Sequence, residues 1–401
     1  MQSFDSAEIQ ARHQRLQELM KASGSNLDAI IVLNTADLYY LSGTVQTAHL
    51  LVTPGEEPRL LVRKVLERAR GDSPLELIEP LASMKDLPER IAELCGPPPW
   101  RIGMELDVLP AATYAFYSGL LGEETEILDA SRLLMANRAT KSEHEIGELR
   151  RAAEAQRLLF EAVPELLGRK GISTYELQNQ LDCRARTLGH CGVIRLRGMN
   201  IGTGIGTVTS GPDGALPNHS HFPIGGRGPH VCVSQGGSTS PIGDDIPIII
   251  DYLMSLSGYH SDCTRMAVRG TMPEEAAEIY EKTRELLRFC EETIRAGSIP
   301  SSIYEEMLSL ANDKGIGDNF MGPGELAVKF VGHSVGLEVN EIPVLAPRFD
   351  EPLEEGCTLA IEPKYTHPSW GVIGVENTYA VRADRLENLT ELPEDIIAAA
   401  D

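Results

Sequence analysis

The chain has 401 residues, 42% of them apolar, which exceeds one typical domain and can furnish two cores without disulfide or metal staples. A formal charge of −23, from 59 acidic and 36 basic residues, argues against sequence-independent binding to nucleic-acid phosphates, which needs clustered Lys and Arg. Most of this charge reads as a solvated acidic surface, with a mild attraction for cationic groups such as a peptide amino terminus.

The first segment, residues 6–23, has Ile9, Leu16 and Leu19 on one helical stripe and lacks the apolar centre of a signal peptide. A buried strand follows at 28–33, then a short helix or turn closing at Gly43. Residues 49–53 and 58–62 read as a hairpin around Pro54-Gly55. A helix around 84–95 and a strand at 101–104 continue an α/β alternation, and this first domain is expected to end near residue 138. A long helical pattern occupies 141–168, with Ile146, Leu149, Ala153 and Leu158 as inward positions. Ser173 and Glu176 form a capping box opening another helix. Residues 201–245, rich in Gly, Pro and Ser, read as long loops. The glycines of Gly202-Thr-Gly204-Ile-Gly206 lack the flanking strand, helix and downstream acid of a nucleotide-binding loop. Strands return at 246–251 and 259–268, helices at 273–296 and 301–314, and short strands and turns complete the chain. No stretch has the apolar length of a membrane span. The seven cysteines are odd in number and include no Cys-x-x-Cys, so they define neither a disulfide framework nor a zinc knuckle, and a cytoplasmic setting is expected.

Chemistry concentrates in the second half. Ile246-Pro-Ile-Ile-Ile-Asp251 is an apolar strand ending in a carboxylate, and burying a bare carboxylate is costly unless it is paired or metal-bound. A hairpin centred between Leu256 and Ser257 makes Asp251 and Asp262 direct cross-strand partners, with Cβ atoms ~4.5–5.5 Å apart. Two like charges that close call for a cation between them. Taken alone, this pair is equally well read as one turn residue and one exposed acid. His333, among Gly and apolar residues in Phe330-Val-Gly-His333-Ser-Val-Gly336, is by itself more often a core histidine than a ligand. Two more apolar strands end in acids, at Glu362 in Thr358-Leu-Ala-Ile-Glu362-Pro363 and at Glu376 in Gly371-Val-Ile-Gly-Val-Glu376. Together these four carboxylates and one imidazole suit two divalent ions, which ~3.5–4 Å apart would share a hydroxide and polarise a carbonyl.

The order Asp251, Asp262, His333, Glu362, Glu376 resembles the M24 "pita-bread" metallopeptidases, which include methionine aminopeptidase, aminopeptidase P and proline dipeptidase, with creatinase as a metal-free relative. The matching text is IIIDYLMSLSGYHSDCTR, GHSVGLEVNEIP, LAIEP and GVENTY. Upstream, Lys141-Ser-Glu-His-Glu-Ile146 looks like the family's linker, and Asp37-Leu-Tyr-Tyr-Leu-Ser-Gly43 looks like its creatinase-type N-terminal domain. The resemblance implies an α+β chain: a creatinase-type α/β domain over residues 1–138 and a pita-bread catalytic domain over 139–401. It also implies two bound divalent ions, with manganese the first expectation and cobalt, iron or zinc as alternatives. Glu362 would then carry the proton from the attacking hydroxide to the leaving nitrogen.

The chain departs from the family pattern at three places. Where family peptidases carry a substrate-contacting His, 17–18 residues before the first metal Asp, this chain has Ser234 and Val233, with Gln235 beside them. His230 is the candidate replacement, and His219 and His221 are alternatives within a long 218–243 segment. Asn340 stands where a second family His is usual, and Gly374 where proline dipeptidases commonly have Arg. Thr264 is a candidate partner for a metal carboxylate and Arg265 for one of the acids, while Cys263 reads as packing. Tyr365 and Trp370 read as pocket lining or as core. The expectation is a peptidase removing the N-terminal residue from short peptides with proline second, as a homodimer. The rivals are a metal-dependent hydrolase or lyase of a small non-peptide substrate, and a non-catalytic binding module.

Overall fold

The computed structural model describes residues 5–198, 202–217 and 222–400. The chain divides into two compact units, Met1–Arg138 and Ala139–Asp401. In the first, strands β1 (Ala29–Val32), β2 (Ala48–Val52), β3 (Arg59–Val62), β4 (Ile78–Pro80), β5 (Arg101–Met104) and β6 (Glu126–Asp129) form one mixed sheet in the order β4-β3-β2-β1-β5-β6. The hairpin β2–β3 is antiparallel, whereas β5 runs parallel to both β1 and β6. Helix Ser6–Ala22 buries Ile9, Leu16 and Met20, with Leu19 only partly covered. Its buried face also includes Arg12 and His13, which bond the carbonyls of Tyr40 and Leu41. Polar residues on that face obscure the stripe in a hydrophobicity reading.

The second unit opens with helix Glu143–Phe160, whose Ser142–Glu145 capping box satisfies orphan backbone donors at its start. Ile146, Leu149 and Ala153 face inward as expected, but the stripe continues through Gln156 to Leu159 and Phe160 rather than Leu158. Gln156 is fully buried. Its amide donates to the Tyr252 carbonyl and its oxygen accepts from Ser261, so it ties the helix to the hairpin beneath it.

That hairpin positions the site. Strands β8 (Pro247–Leu256) and β9 (Tyr259–Val268) pair antiparallel along their full length. The sheet adds β7 (Gly206–Ser210) on one side, in a stretch expected to be loop. β7 is short, but its β-branched run Thr207-Val208-Thr209 favours a strand once β8 lies beside it. Alternate residues of the hairpin face opposite ways. Ile248, Ile250, Tyr252 and Cys263 join a core with helices Glu143–Phe160 and Thr174–Thr187, while Ile249 and Met266 join a second core with helices Glu274–Thr293 and Pro300–Asp313. Being buried on both faces is why 246–250 reads as an unbroken apolar run.

The register differs from expectation. Asp251 lies opposite Thr264, and Leu253 lies opposite Asp262. The turn is Ser257–Gly258, with φ of 50° and 89°, one residue later than the centre assumed from sequence. Moving a hairpin's centre by one residue shifts its register by two, which preserves facing. Asp251 and Asp262 therefore still share a face, as diagonal neighbours with a Cβ separation nearer ~7–8 Å.

The remaining strands are β10 (Gly332–Ser334), β11 (Glu341–Leu345), β12 (Thr358–Ile361), β13 (Lys364–His367), β14 (Gly371–Gly374), β15 (Asn377–Val381), β16 (Leu386–Asn388) and β17 (Ile397–Ala398). They form a sheet ordered β11-β10-β12-β15-β16, a separate β13–β14 hairpin, and an edge in which β17 runs beside β9. Among the described residues no helix is long and apolar enough to cross a membrane.

Because Gly258 holds a positive φ that an L side chain resists, Gly258→Ala is expected to cost about 1 kcal/mol or more. Urea unfolding followed by circular dichroism measures it, and an unchanged midpoint would refute the strain assigned to this turn.

Candidate metal centre

Each predicted donor sits where a strand delivers it. Asp251 and Asp262 project from one face of the β8–β9 hairpin. Asp262 is held by its backbone, which exchanges hydrogen bonds with the Thr378 hydroxyl at 2.9 and 2.8 Å. His333 lies on β10 between Val344 and Ala360 on the neighbouring strands. Beneath it, buried Lys141 donates to the Ser334 hydroxyl and to the Glu341 carboxylate, which fixes that end of the strand. Glu362 follows β12 directly, its N–H donating to the Val331 carbonyl at 3.0 Å. Glu376 lies between β14 and β15, and its backbone bridges Thr264 in both directions.

These five residues line one cavity of about 50 Å³, together with Leu196, Thr207, Phe222 and Gln235 among others. Ligand atoms of Asp262, His333 and Glu376 all lie within 4.8 Å of one another. Asp262 Oδ1 and Glu376 Oε1 are buried there without a hydrogen-bond partner. A buried carboxylate oxygen left unpaired is costly, so this corner has the donor chemistry and the unmet demand of a cation site.

The rest of the cluster is already paired with a cation that the sequence reading did not single out. Lys364, 1% exposed, places Nζ 2.5 Å from Glu362 Oε2, 2.8 Å from Glu376 Oε2 and 3.2 Å from Asp251 Oδ2. In extended backbone, residues two apart share a face, so a lysine two positions after Glu362 and at the start of a strand was the available signal. Its cross-strand partner on β14 is Gly374, where an added Cβ would lie 2.7 Å from Lys364 Cγ and 2.6 Å from the Pro363 carbonyl oxygen. The lysine stem fills the space that a side chain at 374 would need.

Charge in the cluster is unbalanced. Four carboxylates face one ammonium. Burial, reinforced by Glu376 and Asp251, pushes Asp262 well above the usual carboxylate range. Burial raises Asp251 against the pull of Lys364, and it raises Glu376 to about 7, again opposed by Lys364. Glu362 is the exception: burial would raise it, but Lys364 and His333 outweigh that and hold it low. Burial opposes the charge on Lys364 too, yet the surrounding acids keep it protonated, well above the ordinary lysine value.

Thr264 bonds the Glu376 carboxylate through its hydroxyl at 2.8 Å. Arg265 does not pair with an acid: fully buried, it donates to the Pro393, Leu392, Thr264 and Glu376 carbonyls and to the Asn377 side chain. Those acceptors fix the chain around Glu376, which is a structural task. Cys263 is buried on the opposite face of the hairpin, as expected of packing.

His230 is exposed in a tight turn, its ring nitrogen 3.1 Å from Cys232 Sγ, and it is not among the cavity-lining residues. From the described part of that segment Phe222, Pro223, Ile224 and Gln235 line the cavity, while His219 and His221 lie outside the described residues. Asn340 is exposed and exchanges hydrogen bonds with the Arg197 backbone, anchoring the chain next to the cavity-lining Leu196. Tyr365 and Trp370 pack against the core rather than lining the cavity, and Trp370 stacks on His367.

Comparison with known proteins matches residues 147–383 to the metallopeptidase family M24 and residues 12–140 to the creatinase/prolidase N-terminal domain. Among curated proteins, an uncharacterized peptidase of Bacillus subtilis, YqhT, is 24% identical over 96% of this chain and 99% of its own length. An Xaa-Pro dipeptidase of Pyrococcus horikoshii is 24% identical over 93% of this chain and 95% of its own. Among solved structures, an Xaa-Pro dipeptidase from Bacillus anthracis superposes with a TM-score of 0.81 at 23% identity, covering 97% of this chain and 99% of its own. An X-Pro aminopeptidase from Thermotoga maritima gives 0.77 at 20% identity, covering 96% and 99%. The fold is thus a creatinase-type N-terminal domain followed by a pita-bread domain.

Removing one partner of a buried ionic cluster leaves the others uncompensated, at a cost of about 3–5 kcal/mol. Lys364→Met, stripped of divalent metal by a chelator, is expected to lose stability on that scale. Unfolding of the metal-free variant beside metal-free wild type measures it, and equal stability would mean that Lys364 does not hold the carboxylates together.

Proposed function

Since this chain belongs to metallopeptidase family M24, we propose that it is a divalent-metal-dependent peptidase that releases the N-terminal residue from short peptides with proline in second position. The observation that carries the reading is the convergence of Asp262, His333 and Glu376 on one cavity, two of them with unpartnered buried oxygens. Carboxylate and imidazole donors suit manganese, cobalt, iron or zinc, with manganese preferred for the carboxylate-rich set. A bound ion would polarise the scissile carbonyl and acidify a water.

The protein's own groups supply the remainder. Glu362, held ionised by Lys364 and His333, is placed to accept a proton from the attacking water and deliver it to the leaving nitrogen. Thr264 fixes one oxygen of Glu376, which keeps that carboxylate oriented toward the cavity. Gln235, lining the cavity beside the position where a family His is usual, donates a hydrogen bond to substrate without moving protons. The donors would be sufficient for two ions, but Lys364 competes for three of the four carboxylates, and the metal content follows from that competition.

The sequence similarity to Xaa-Pro dipeptidases supports proline selectivity. Gly374 bears on substrate length. An Arg there would offer bidentate hydrogen bonds to a dipeptide carboxylate, and Gly cannot. Longer X-Pro peptides are therefore favoured over free dipeptides. A second reading, a hydrolase acting on a small non-peptide substrate, is favoured by Gln235 in the cavity wall and by Lys364 among the carboxylates.

Asp262→Asn keeps shape while removing charge from the cation corner, so it is expected to lose bound metal and nearly all activity with the fold retained. Wild-type metal content and turnover in this variant would refute the assignment of Asp262. For substrate, kcat/KM with Mn²⁺ is expected to be higher for an X-Pro peptide extended by two residues than for the corresponding dipeptide. A clear preference for the dipeptide would reverse the length assignment, and cleavage of neither by a metal-loaded protein would favour the non-peptide reading.

A further inference from the structure

We propose that Lys364 is a built-in substitute for one of the two metal ions, so that the centre takes a single divalent ion at Asp262, His333 and Glu376 while the lysine ammonium permanently occupies the Asp251 side. The inference rests on the metal-centre reading above and departs from the two-ion expectation.

Three observations carry it. The first is how the carboxylate oxygens are used. Asp251 Oδ2, Glu362 Oε2 and Glu376 Oε2 all receive Lys364 Nζ, whereas Asp262 Oδ1 and Glu376 Oε1 receive nothing. The paired oxygens surround the ammonium and the unpaired ones belong to the corner that also has His333. An ammonium has three N–H donors and no acceptor, and Nζ has three carboxylate partners, so its hydrogen-bonding capacity is fully used.

The second is that the lysine is accommodated by the fold. Its stem lies against Gly374, and a Cβ there would collide with the Pro363 carbonyl and the lysine itself. Gly374 has no positive φ to require glycine. What excludes a side chain at 374 is the close approach of the Pro363 carbonyl oxygen and of Lys364 Cα and Cγ, so this hairpin leaves room for the lysine stem and none for an arginine opposite it.

The third is charge. Four carboxylates against one ammonium leave three uncompensated negative charges. One dication reduces that excess to a single charge. Two dications without the lysine, sharing a hydroxide, would leave the same excess. Two dications beside the lysine, sharing a hydroxide, would make the cluster neutral, so what excludes the second ion is occupancy: the ammonium already donates to the carboxylate oxygens that ion would need. Lys364 and a second ion therefore exclude each other.

The test is metal stoichiometry, read independently of catalysis. Chelator-treated wild-type protein and Lys364→Met, purified in the presence of Mn²⁺ and then stripped, are titrated with MnCl₂ by calorimetry, with elemental analysis after dialysis. Electron paramagnetic resonance distinguishes an isolated Mn²⁺ from an exchange-coupled pair. The expected result is one equivalent with an isolated-ion spectrum in wild type, and two equivalents with a coupled spectrum in the variant. Two equivalents in wild type would overturn the inference and leave the metallopeptidase reading standing. One equivalent in both proteins would overturn the claim that the lysine excludes the second ion. An ion bound only by the variant would overturn the single-ion centre, since the lysine would then block both positions. Binding by neither would remove the metal reading itself. If Lys364→Met does not fold, Lys364→Gly replaces it, and the wild-type stoichiometry still separates one ion from two.

Discussion

The catalytic unit depends on how four carboxylates are buried side by side. Asp251 and Asp262 sit within β8 and β9, and Glu362 and Glu376 just past the ends of β12 and β14, where water screens them poorly and mutual repulsion would drive them apart or protonate them. Positive charge must be placed among them, and the fold supplies part of it. Lys364 reaches three of the four from the first residue of β13. Local structure around the cluster serves the same requirement. The Thr264 hydroxyl takes one oxygen of Glu376, Thr378 holds the Asp262 backbone, and Arg265 gathers the carbonyls around Glu376 without spending its charge on an acid. What remains unmet is confined to one corner, and that corner includes the imidazole.

The legible part of this arrangement was the part written in hydrophobic pattern. Three apolar runs each reaching an acid stand out because a buried run seldom meets a charge, although β8 continues past Asp251 to Leu256, and the order of donors along the chain carried the family resemblance. The capping box at Ser173 was equally readable, since side chain and backbone satisfy each other within four residues, and the box at Ser142 that the reading passed over has the same pattern. The second strand of the hairpin was placed correctly, but the first was ended at 251 rather than 256 and the centre set one residue early, because nothing in Leu256-Ser257-Gly258-Tyr259 identifies Ser257 as the residue that accepts a positive φ. Facing survived that error because a register shift of two keeps parity.

What sequence did not disclose was three-dimensional pairing. Lys364 was not singled out from sequence, yet it is buried, with Glu362 and Glu376 flanking it from outside its own strand. The glycine at 374 looked like a missing arginine, yet its role is to make room. β7 pairs its Thr207-Val208-Thr209 run with β8, a short strand set in a stretch otherwise rich in Gly, Pro and Ser. Gln156 and Arg12 interrupt apolar stripes, yet both are buried by bonding backbone carbonyls. In each case a polar residue at an inward position has a partner far along the chain, and periodicity within one segment cannot find it.

A built-in ammonium changes what the centre can be asked to do. A lysine cannot exchange ligands or bind a substrate amino group as a second ion would, and it fixes Glu362 as an ionised acceptor. Anomalous diffraction at the manganese edge, from crystals equilibrated with Mn²⁺, examines this arrangement directly. A single peak among Asp262, His333 and Glu376, with Lys364 Nζ still against Asp251, is the expected result. Two peaks within the carboxylate cluster, with Lys364 turned away, would contradict it.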